Sequence, residues 1–165
     1  MLANAPALTI DLADYADPRD AADVVALLDA YARDPMGGGA PLAEGVKARL
    51  VGDLAANPHA FSMIARRDDA AVGLANCFMG YSTFAAAPLV NIHDLAVLPG
   101  HRGAGIGKAL LAAIEAEALK RGACKITLEV LSGNPARHLY EVCGYGDYQL
   151  DPATGHALFW QKRLT

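Results

Sequence analysis

Apolar and polar residues alternate along this chain with two different periods, and each change of period marks a predicted element. Segments in which apolar residues recur at every second position predict strands, and segments in which they recur three and four positions apart predict helices. Asn134-Pro135 is a typical helix start, and Gly122 and Gly144 are typical helix stops. The predicted strands are 7–12, two runs within 59–84, 87–97, 124–131 and 156–164, and the predicted helices lie within 17–34, 43–57, 106–121 and 134–144.

The order of these elements predicts the class of fold. With one further strand after the last helix, the order is β-α-α-β-β-β-α-β-α-β-β, which is typical of a mixed α/β (α+β) protein with helices on the faces of one mixed sheet. A length of 165 residues suits one ordinary domain, and no repeat or linker interrupts residues 1–165. We therefore expect a single domain.

Charge and cysteine usage exclude several classes of function. The chain has 14 Lys and Arg against 18 Asp and Glu, a net charge of −4, so it lacks the basic surface expected of a nucleic-acid partner. The first residues contain no basic export segment and no run of 18 apolar residues occurs, so we expect a soluble cytoplasmic protein without a membrane partner. Three cysteines without CxxC spacing and five scattered histidines predict no metal site.

Three glycines, Gly103, Gly105 and Gly107, stand between a predicted strand and a predicted helix. The Walker phosphate loop would need a glycine where Arg102 stands, and the dinucleotide fingerprint would need one at Lys108, so neither motif is present. A glycine-rich turn at a helix start still exposes backbone N–H groups at the positive end of the helix dipole. The turn is either an anion-binding site or a tight connection that lets the helix pack on the strand.

The segment resembles the GNAT superfamily of acyl-CoA N-acyltransferases, whose central motif is Arg or Gln, two residues, Gly, one residue, then Gly or Ala. The resemblance covers residues 59 to 163. It implies a mostly antiparallel sheet of about seven strands with helices on both faces, acetyl-CoA as co-substrate, and phosphate binding by the turn. The motif residues that match are Arg102, Gly103, Ala104, Gly105, Ile106 and Gly107, followed by Lys108.

Within the superfamily the chain looks most like the spermidine/spermine (diamine) acetyltransferase group. That group characteristically reads Leu-Glu-Asp-Leu where this chain has Ile92-His93-Asp94-Leu95. The glutamate that helps to receive the amine proton is therefore His93 here. An imidazole titrates near neutrality and can accept that proton, although a lone histidine in a strand is often structural.

The same resemblance assigns roles to several other residues. The Leu95 amide would bind the oxyanion, with Ala96 and Val97 amides along the pantetheine arm; a regular strand is the alternative. Tyr140 would donate a proton to the leaving thiolate, or simply lie at the rim of the core. Asn134 would hold the cofactor arm, cap a helix, or both. If strand alternation holds, Asp94 points to the opposite face from His93 and is a second-choice base.

These expectations combine into one function and two alternatives. The chain is expected to move acetyl from acetyl-CoA to a primary amine, polyamine-like or amino-acid in nature, by direct attack in a ternary complex. The alternatives are a non-catalytic acyl-CoA-binding or sensor module, and an acetyltransferase for protein amino termini or lysines. The loop with Gly37, Gly38 and Gly39 is expected to line the acceptor site as a lid, and a homodimer is expected from the resemblance and an apolar content of 53%.

Overall fold

The computed structural model describes residues 7–164. Residues 1–6, in which the sequence lacks a basic export segment, lie outside the described residues. The strands are β1 (Leu8–Leu12), β2 (Ala60–Arg67), β3 (Ala70–Ser82), β4 (Ala87–Val97) and β5 (Ile126–Leu128), and the helices are α1 (Pro18–Arg33), α2 (Glu44–Ala56), α3 (Ile106–Lys120) and α4 (Arg137–Val142), with a 3₁₀ turn at Pro152–Thr154.

The five strands form one sheet in the order β1-β2-β3-β4-β5. The first four pair antiparallel, and β5 runs parallel to β4. The β2–β3 turn is formed by Asp68 and Asp69, both with positive φ, which is the backbone of a tight hairpin. The predicted mixed, mostly antiparallel sheet is confirmed.

The number of strands was predicted incorrectly. The sequence predicts about seven, but the described residues form five, and none lies within 156–164. The predicted strand over 124–131 is reduced to the three residues of β5. Alternating apolar residues make a strand favourable, but a strand exists only where a neighbour accepts its backbone hydrogen bonds, and that neighbour is not encoded in the segment itself.

Helices cover both faces of the sheet. On one face α1 and α2 pack against the centre of β2 and β3. On the other face α3 lies so close to β3 that a Cβ placed on Gly73 would stand 3.2 Å from Cδ1 of Leu110. Each large apolar side chain buried here stabilises the fold by about 1.5–3 kcal/mol. The fully or nearly buried residues are Val24, Leu27, Leu54, Ile64 and Leu74 on the first face and Ile106, Leu110 and Ile114 on α3.

Helix α1 is fixed at its start by its own sequence and by one buried ion cluster. The Asp17 carboxylate caps it by accepting from the Arg19 and Asp20 amides, with proline at the first helical position. The nearly buried guanidinium of Arg66 on β2 donates to Asp20 and to Asp23, each at 2.7 Å. This cluster ties α1 to the sheet and so positions the loop that follows it.

The chain divides into two compact units, the first ending at Leu128 and the second beginning at Glu129. The first unit holds the whole sheet and helices α1 to α3. The second holds α4 and the 3₁₀ turn. Among the described helices, none combines the length and apolar character needed to cross a lipid bilayer.

Candidate active site

Strand β4 contains a β-bulge at His93. Asn76 on β3 lies opposite Asp94, and the next residue, Cys77, lies opposite Ile92, so His93 is the extra residue. A bulge breaks the two-residue alternation of a strand. As a result His93 and Asp94 both line the same pocket. The expectation that Asp94 points to the opposite face was therefore wrong.

This pocket has a volume of about 300 Å³ and lies between α1, α2 and the sheet. It is called the acceptor pocket below, after the role that we propose for it. The His93 ring packs edge-on against Phe78, with ring centroids 5.6 Å apart. Burial, followed by the nearby charges of Asp94 and Asp34, raises the pKa of Tyr31, which therefore remains a neutral phenol near neutral pH. The lining residues are Leu28, Tyr31, Ala32, Gly37, Leu42, Leu50, Leu54, Asn76, Phe78, His93 and Asp94.

A buried chain of hydrogen bonds holds the Asp94 carboxylate. The Asn76 amide donates from Nδ2 to Oδ2 of Asp94 at 3.0 Å, and the Ser62 hydroxyl donates to Oδ1 of Asn76 at 2.6 Å. Because that bond uses the Ser62 proton, Tyr15 must be the donor in its 2.7 Å contact with Ser62. Burial raises the pKa of Tyr15, which keeps its phenol protonated for this role. Every donor in the chain points towards Asp94.

Sequence reasoning missed this hydrogen-bonded chain. The sequence feature that could have revealed it is a single polar residue in each of two otherwise apolar strand segments. These residues are Ser62 within "AFSMIA" and Asn76 within "GLANCF". Both are almost completely buried, with exposed fractions of 0% and 3%. A polar side chain at such a position must have a partner, and here the partners are each other and Asp94.

Beyond the bulge, the free side of β4 presents backbone N–H groups. The Leu98 amide donates to Val72, and alternation in the antiparallel ladder then turns the Ala96 amide towards β3 and the Leu95 and Val97 amides away from it. β5 pairs with β4 only from Val90 to Ile92. Leu95 is thus oriented as an oxyanion donor would be, whereas the ladder uses the Ala96 amide, contrary to its predicted role on the pantetheine arm.

The glycine turn, defined as residues 100–107, connects β4 to α3. Gly100, Gly103 and Gly105 all have positive φ, and Gly105 is the N-cap of α3 with φ of 80°. The first intrahelical bond runs from the Ala109 amide to the Gly105 carbonyl, and Ile106 anchors the turn with a side chain 1% exposed. The first N–H groups of a helix have no intrahelical partner, so the turn can bind an anion.

The glycine turn also has room for such an anion. A Cβ built on Gly103 or on Gly105 would meet no heavy atom of the described chain within 4 Å. Lys108, the third residue of α3, is exposed and adds positive charge. Amides from Gly103 to Lys108 therefore suit a phosphate group in charge and in space, and Ala104, Ile106 and Gly107 would contribute through their backbone only. Their contact with coenzyme A stays a prediction.

The exposed Arg102 side chain has a structural role, because it bonds to two other segments of the chain. Its Nε donates to the Val97 carbonyl at 2.9 Å, and a terminal nitrogen pairs with Asp34 at 2.9 Å. The Met36 amide and then Arg102 lower the pKa of Asp34. These contacts hold the glycine turn against both the end of β4 and the end of α1, and direct phosphate binding by Arg102 stays a prediction.

Asn134 and Tyr140 lie in the second unit. The Asn134 side-chain oxygen accepts from the Ala136 amide at 2.9 Å, which is a local turn bond before α4. The N-cap of α4 is Ala136, without a side-chain hydrogen bond, so Asn134 is not the cap that the sequence offered as one alternative. Tyr140 is half-buried on α4, and its ring lies edge-on to Tyr145 with centroids 6.1 Å apart. Their contacts with the cofactor remain predictions.

The Cys77 thiol is in surroundings that do not suit a nucleophile. Burial raises the pKa of the Cys77 thiol to about 12, so it is not a nucleophile near neutral pH. Within residues 7–164 no group of three or more His, Cys, Asp or Glu side chains is arranged to hold a metal ion.

Comparison with known proteins places this geometry in a family. A family model described as the acetyltransferase (GNAT) family matches residues 25–145. The streptothricin acetyltransferase of Streptomyces lavendulae is 43% identical over 65 residues, 39% of this chain and 34% of that protein. The [ribosomal protein bS18]-alanine N-acetyltransferase of Haemophilus influenzae is 34% identical over 59 residues, 36% of this chain and 40% of that protein. The matched segments thus span about a third to two fifths of these curated relatives.

A solved structure extends the likeness to the whole fold. An aminoglycoside N-acetyltransferase in complex with CoA superposes with a TM-score of 0.75 at 18% identity, over 99% of this chain and 100% of that one. At that identity the likeness concerns the fold alone. Because the family model covers most of the sheet, the bulged strand and the glycine turn, the chain belongs to the acetyltransferase (GNAT) family.

Proposed function

We propose that this protein is an acetyl-CoA-dependent N-acetyltransferase that acts on a primary amine of a small molecule by direct attack in a ternary complex. One observation carries the proposal. The bulge at His93 brings an imidazole and a carboxylate into one pocket, on the strand that continues through the outward-facing Leu95 amide to the glycine turn. The proposed acceptor site, oxyanion donor and anion-binding turn therefore follow one another along one segment, from His93 on β4 to the glycine turn.

Acetyl-CoA, when bound, supplies the acetyl thioester. The amides of Gly103 to Lys108 would hold its pyrophosphate, and the Leu95 and Val97 amides would lie along its arm. The Leu95 N–H would bind the carbonyl oxygen, on which negative charge grows during attack. Tyr140 is proposed as the donor to the departing sulfur, as the family resemblance implies.

His93 and Asp94 would divide the handling of the amine. An amine arrives mainly as an ammonium ion, and Asp94, held in place by Asn76, is the group that would attract and orient it. The amine must lose a proton before it can attack, and the more exposed His93 would accept that proton and pass it to solvent. Asp94 remains the second-choice base.

The test of this division is a pH series on His93→Gln. Coenzyme A release with a good amine should fall by about 10²-fold or more, while acetyl-CoA affinity by calorimetry stays unchanged. The acidic fall of kcat/KM, which reports protonation of the base, should disappear. His93→Glu should recover part of the rate.

Asp94→Asn is the companion variant. It should raise KM more than it lowers kcat, because the carboxylate orients the ammonium rather than taking its proton. If His93→Gln keeps both the rate and the acidic fall whereas Asp94→Asn loses them, the roles are reversed and Asp94 is the base.

Tyr140→Phe tests the leaving-group role. It should lower kcat much more than it weakens acetyl-CoA binding, because the hydroxyl acts as sulfur departs. An unchanged kcat, with chemistry shown to limit the rate, would remove Tyr140 from the mechanism.

A second candidate function is acetylation of a protein amino terminus. The relative from Haemophilus influenzae is named for acetylating an alanine of a ribosomal protein, which supports including peptides in the assay. A peptide with amino-terminal alanine that is acetylated faster than every small amine would favour this alternative. If acetyl-CoA binds but none of the tested amines or peptides causes coenzyme A release, the non-catalytic sensor module is favoured. Homodimer formation and a cytoplasmic location also stay predictions.

A further inference from the structure

The acceptor pocket contains very little negative charge. Of its eleven lining residues, Asp94 is the single carboxylate, and His93, Tyr31 and Asn76 are the other polar side chains. The remaining seven are apolar residues or glycine, among them Leu28, Leu42, Leu50, Leu54 and Phe78.

Two carboxylates outside the lining, Asp29 and Asp34, interact with the lining residues Leu42 and Tyr31 and already have partners. Asp29 accepts from Arg33 at 3.0 Å, from the Leu42 amide at 2.8 Å, and pairs with Lys47 at 3.3 Å. Asp34 accepts from Arg102 and from the Met36 amide, both at 2.9 Å. A second ammonium group in this pocket would therefore compete with bonds that the protein already makes.

From this arrangement we infer the class of acceptor: a small monoamine whose single ammonium meets Asp94 and whose remaining body is apolar. The inference rests on the proposed function and narrows the polyamine-like or amino-acid acceptor that the sequence predicts. A diamine or polyamine would leave a charged group against leucine and phenylalanine side chains, at a large desolvation cost. An amino-acid carboxylate would lie near the Asp94 carboxylate in a lining that contains no Lys or Arg side chain.

Pocket size supports the same class. A volume of about 300 Å³ is at the low end of the roughly 300–1,000 Å³ typical of small-molecule sites. The apolar lining, with Phe78 beside His93, would pack against an alkyl chain or one aromatic ring. Such packing places the amine at the polar end of the pocket, where His93 and Asp94 meet.

The experiment compares matched amines. Pentylamine and 1,5-diaminopentane have the same carbon chain and differ in one terminal ammonium, and 2-phenylethylamine adds an aromatic body. We expect kcat/KM for pentylamine and for 2-phenylethylamine to exceed that for the diamine by about tenfold or more. Equal or better use of the diamine would overturn the inference while leaving the proposed function intact.

A charge-adding variant with a neutral control sharpens the test. Leu42 lines the pocket and is only half-buried, so a polar side chain at this position should be tolerated. Leu42→Glu adds a second carboxylate, and Leu42→Gln adds the same volume without charge. Relative to Leu42→Gln, Leu42→Glu should shift the diamine-to-monoamine ratio of kcat/KM by about tenfold towards the diamine. No shift between these two variants would count against the inference.

Calorimetry separates failure of the inference from failure of the proposed function. Amine binding is measured on the CoA-bound protein, without turnover. Monoamines that bind in preference to the diamine but are never acetylated would support the pocket's selectivity and contradict the enzymatic function. Acetylation of amines without this preference would contradict the selectivity alone.

Discussion

The two glycine turns, residues 37–39 and 100–107, are both rich in glycine and differ in what an added side chain would meet. A Cβ on Gly37 would stand 1.9 Å from the carbonyl oxygen of Tyr31, which no real contact permits. A Cβ on Gly103 or Gly105 would meet nothing within 4 Å. The first turn needs glycine because the backbone of α1 is in contact with it, whereas the second keeps open space beside unpaired helix amides.

This difference separates glycines that serve packing from glycines that leave room for a ligand. The turn at 37–39 is closed by its own hydrogen bonds, from the Gly37 and Gly39 amides to the Asp34 carbonyl and from Ala40 to Ala32. It was predicted to act as a lid, and its geometry is that of a tight turn that builds one wall of the acceptor pocket through Gly37. That this turn moves as a lid during turnover remains a prediction.

The largest effect is expected from Gly37→Ala. The added methyl group would collide with a backbone atom that cannot rotate away, so unfolding should become easier by about 3 kcal/mol, at the high end for overpacking. Denaturant unfolding measures the change. Gly52→Ala, on α2 with nothing within 4 Å, is the control and should stabilise by about 0.5–1 kcal/mol. Equal stability of the two variants would show that a methyl group on Gly37 does not collide with the Tyr31 carbonyl oxygen.

Gly105→Asn should affect binding instead of folding. Asparagine tolerates the left-handed backbone that Gly105 adopts, so the free energy of unfolding should change by less than about 1 kcal/mol. Its side chain would fill the space proposed for the pyrophosphate, and acetyl-CoA affinity should fall about tenfold or more.

Gly100→Asn is the matched control for this variant. Gly100 has the same left-handed backbone with open space around it, but lies before the amides proposed to bind phosphate. Calorimetry should therefore show near-normal acetyl-CoA affinity. If both variants bind equally well, the amides from Gly103 to Lys108 are not the anion site.

The smallest effect concerns the ion pair that links the two turns. Because Met36 and Arg102 lower the pKa of Asp34 in the folded state, Asp34 adds stability above its unfolded pKa, and that stability is lost as pH falls through the lowered value. Asp34→Asn should therefore destabilise the protein at neutral pH and match the wild type in strong acid. Thermal unfolding across the acidic pH range measures this difference in stability. The control is Asp53→Asn, because Asp53 forms an exposed ion pair with Arg49. A constant difference at every pH would contradict the assignment.

Local sequence signals were sufficient for the helices and for the hairpin. Asp17-Pro18 begins α1 through a side-chain cap, and Asp68-Asp69 forms the turn between β2 and β3, because both depend on contacts within a few residues. The glycine turn was predicted from the same kind of signal, and the family model confirms the GNAT resemblance. The strand predicted over 156–164 was wrong and the one over 124–131 is only three residues long, because pairing depends on a distant partner.

The sequence by itself determined the periodicity of the main helices and strands, and a glycine-rich turn at the start of α3. Only the tertiary structure decided which side chains share the acceptor pocket. Pairing of β4 with β3 leaves His93 unmatched, and this one-residue bulge turns Asp94 into the pocket and the Leu95 amide away from β3. A bulge is a property of two strands in register, so no pattern within either strand alone could reveal it.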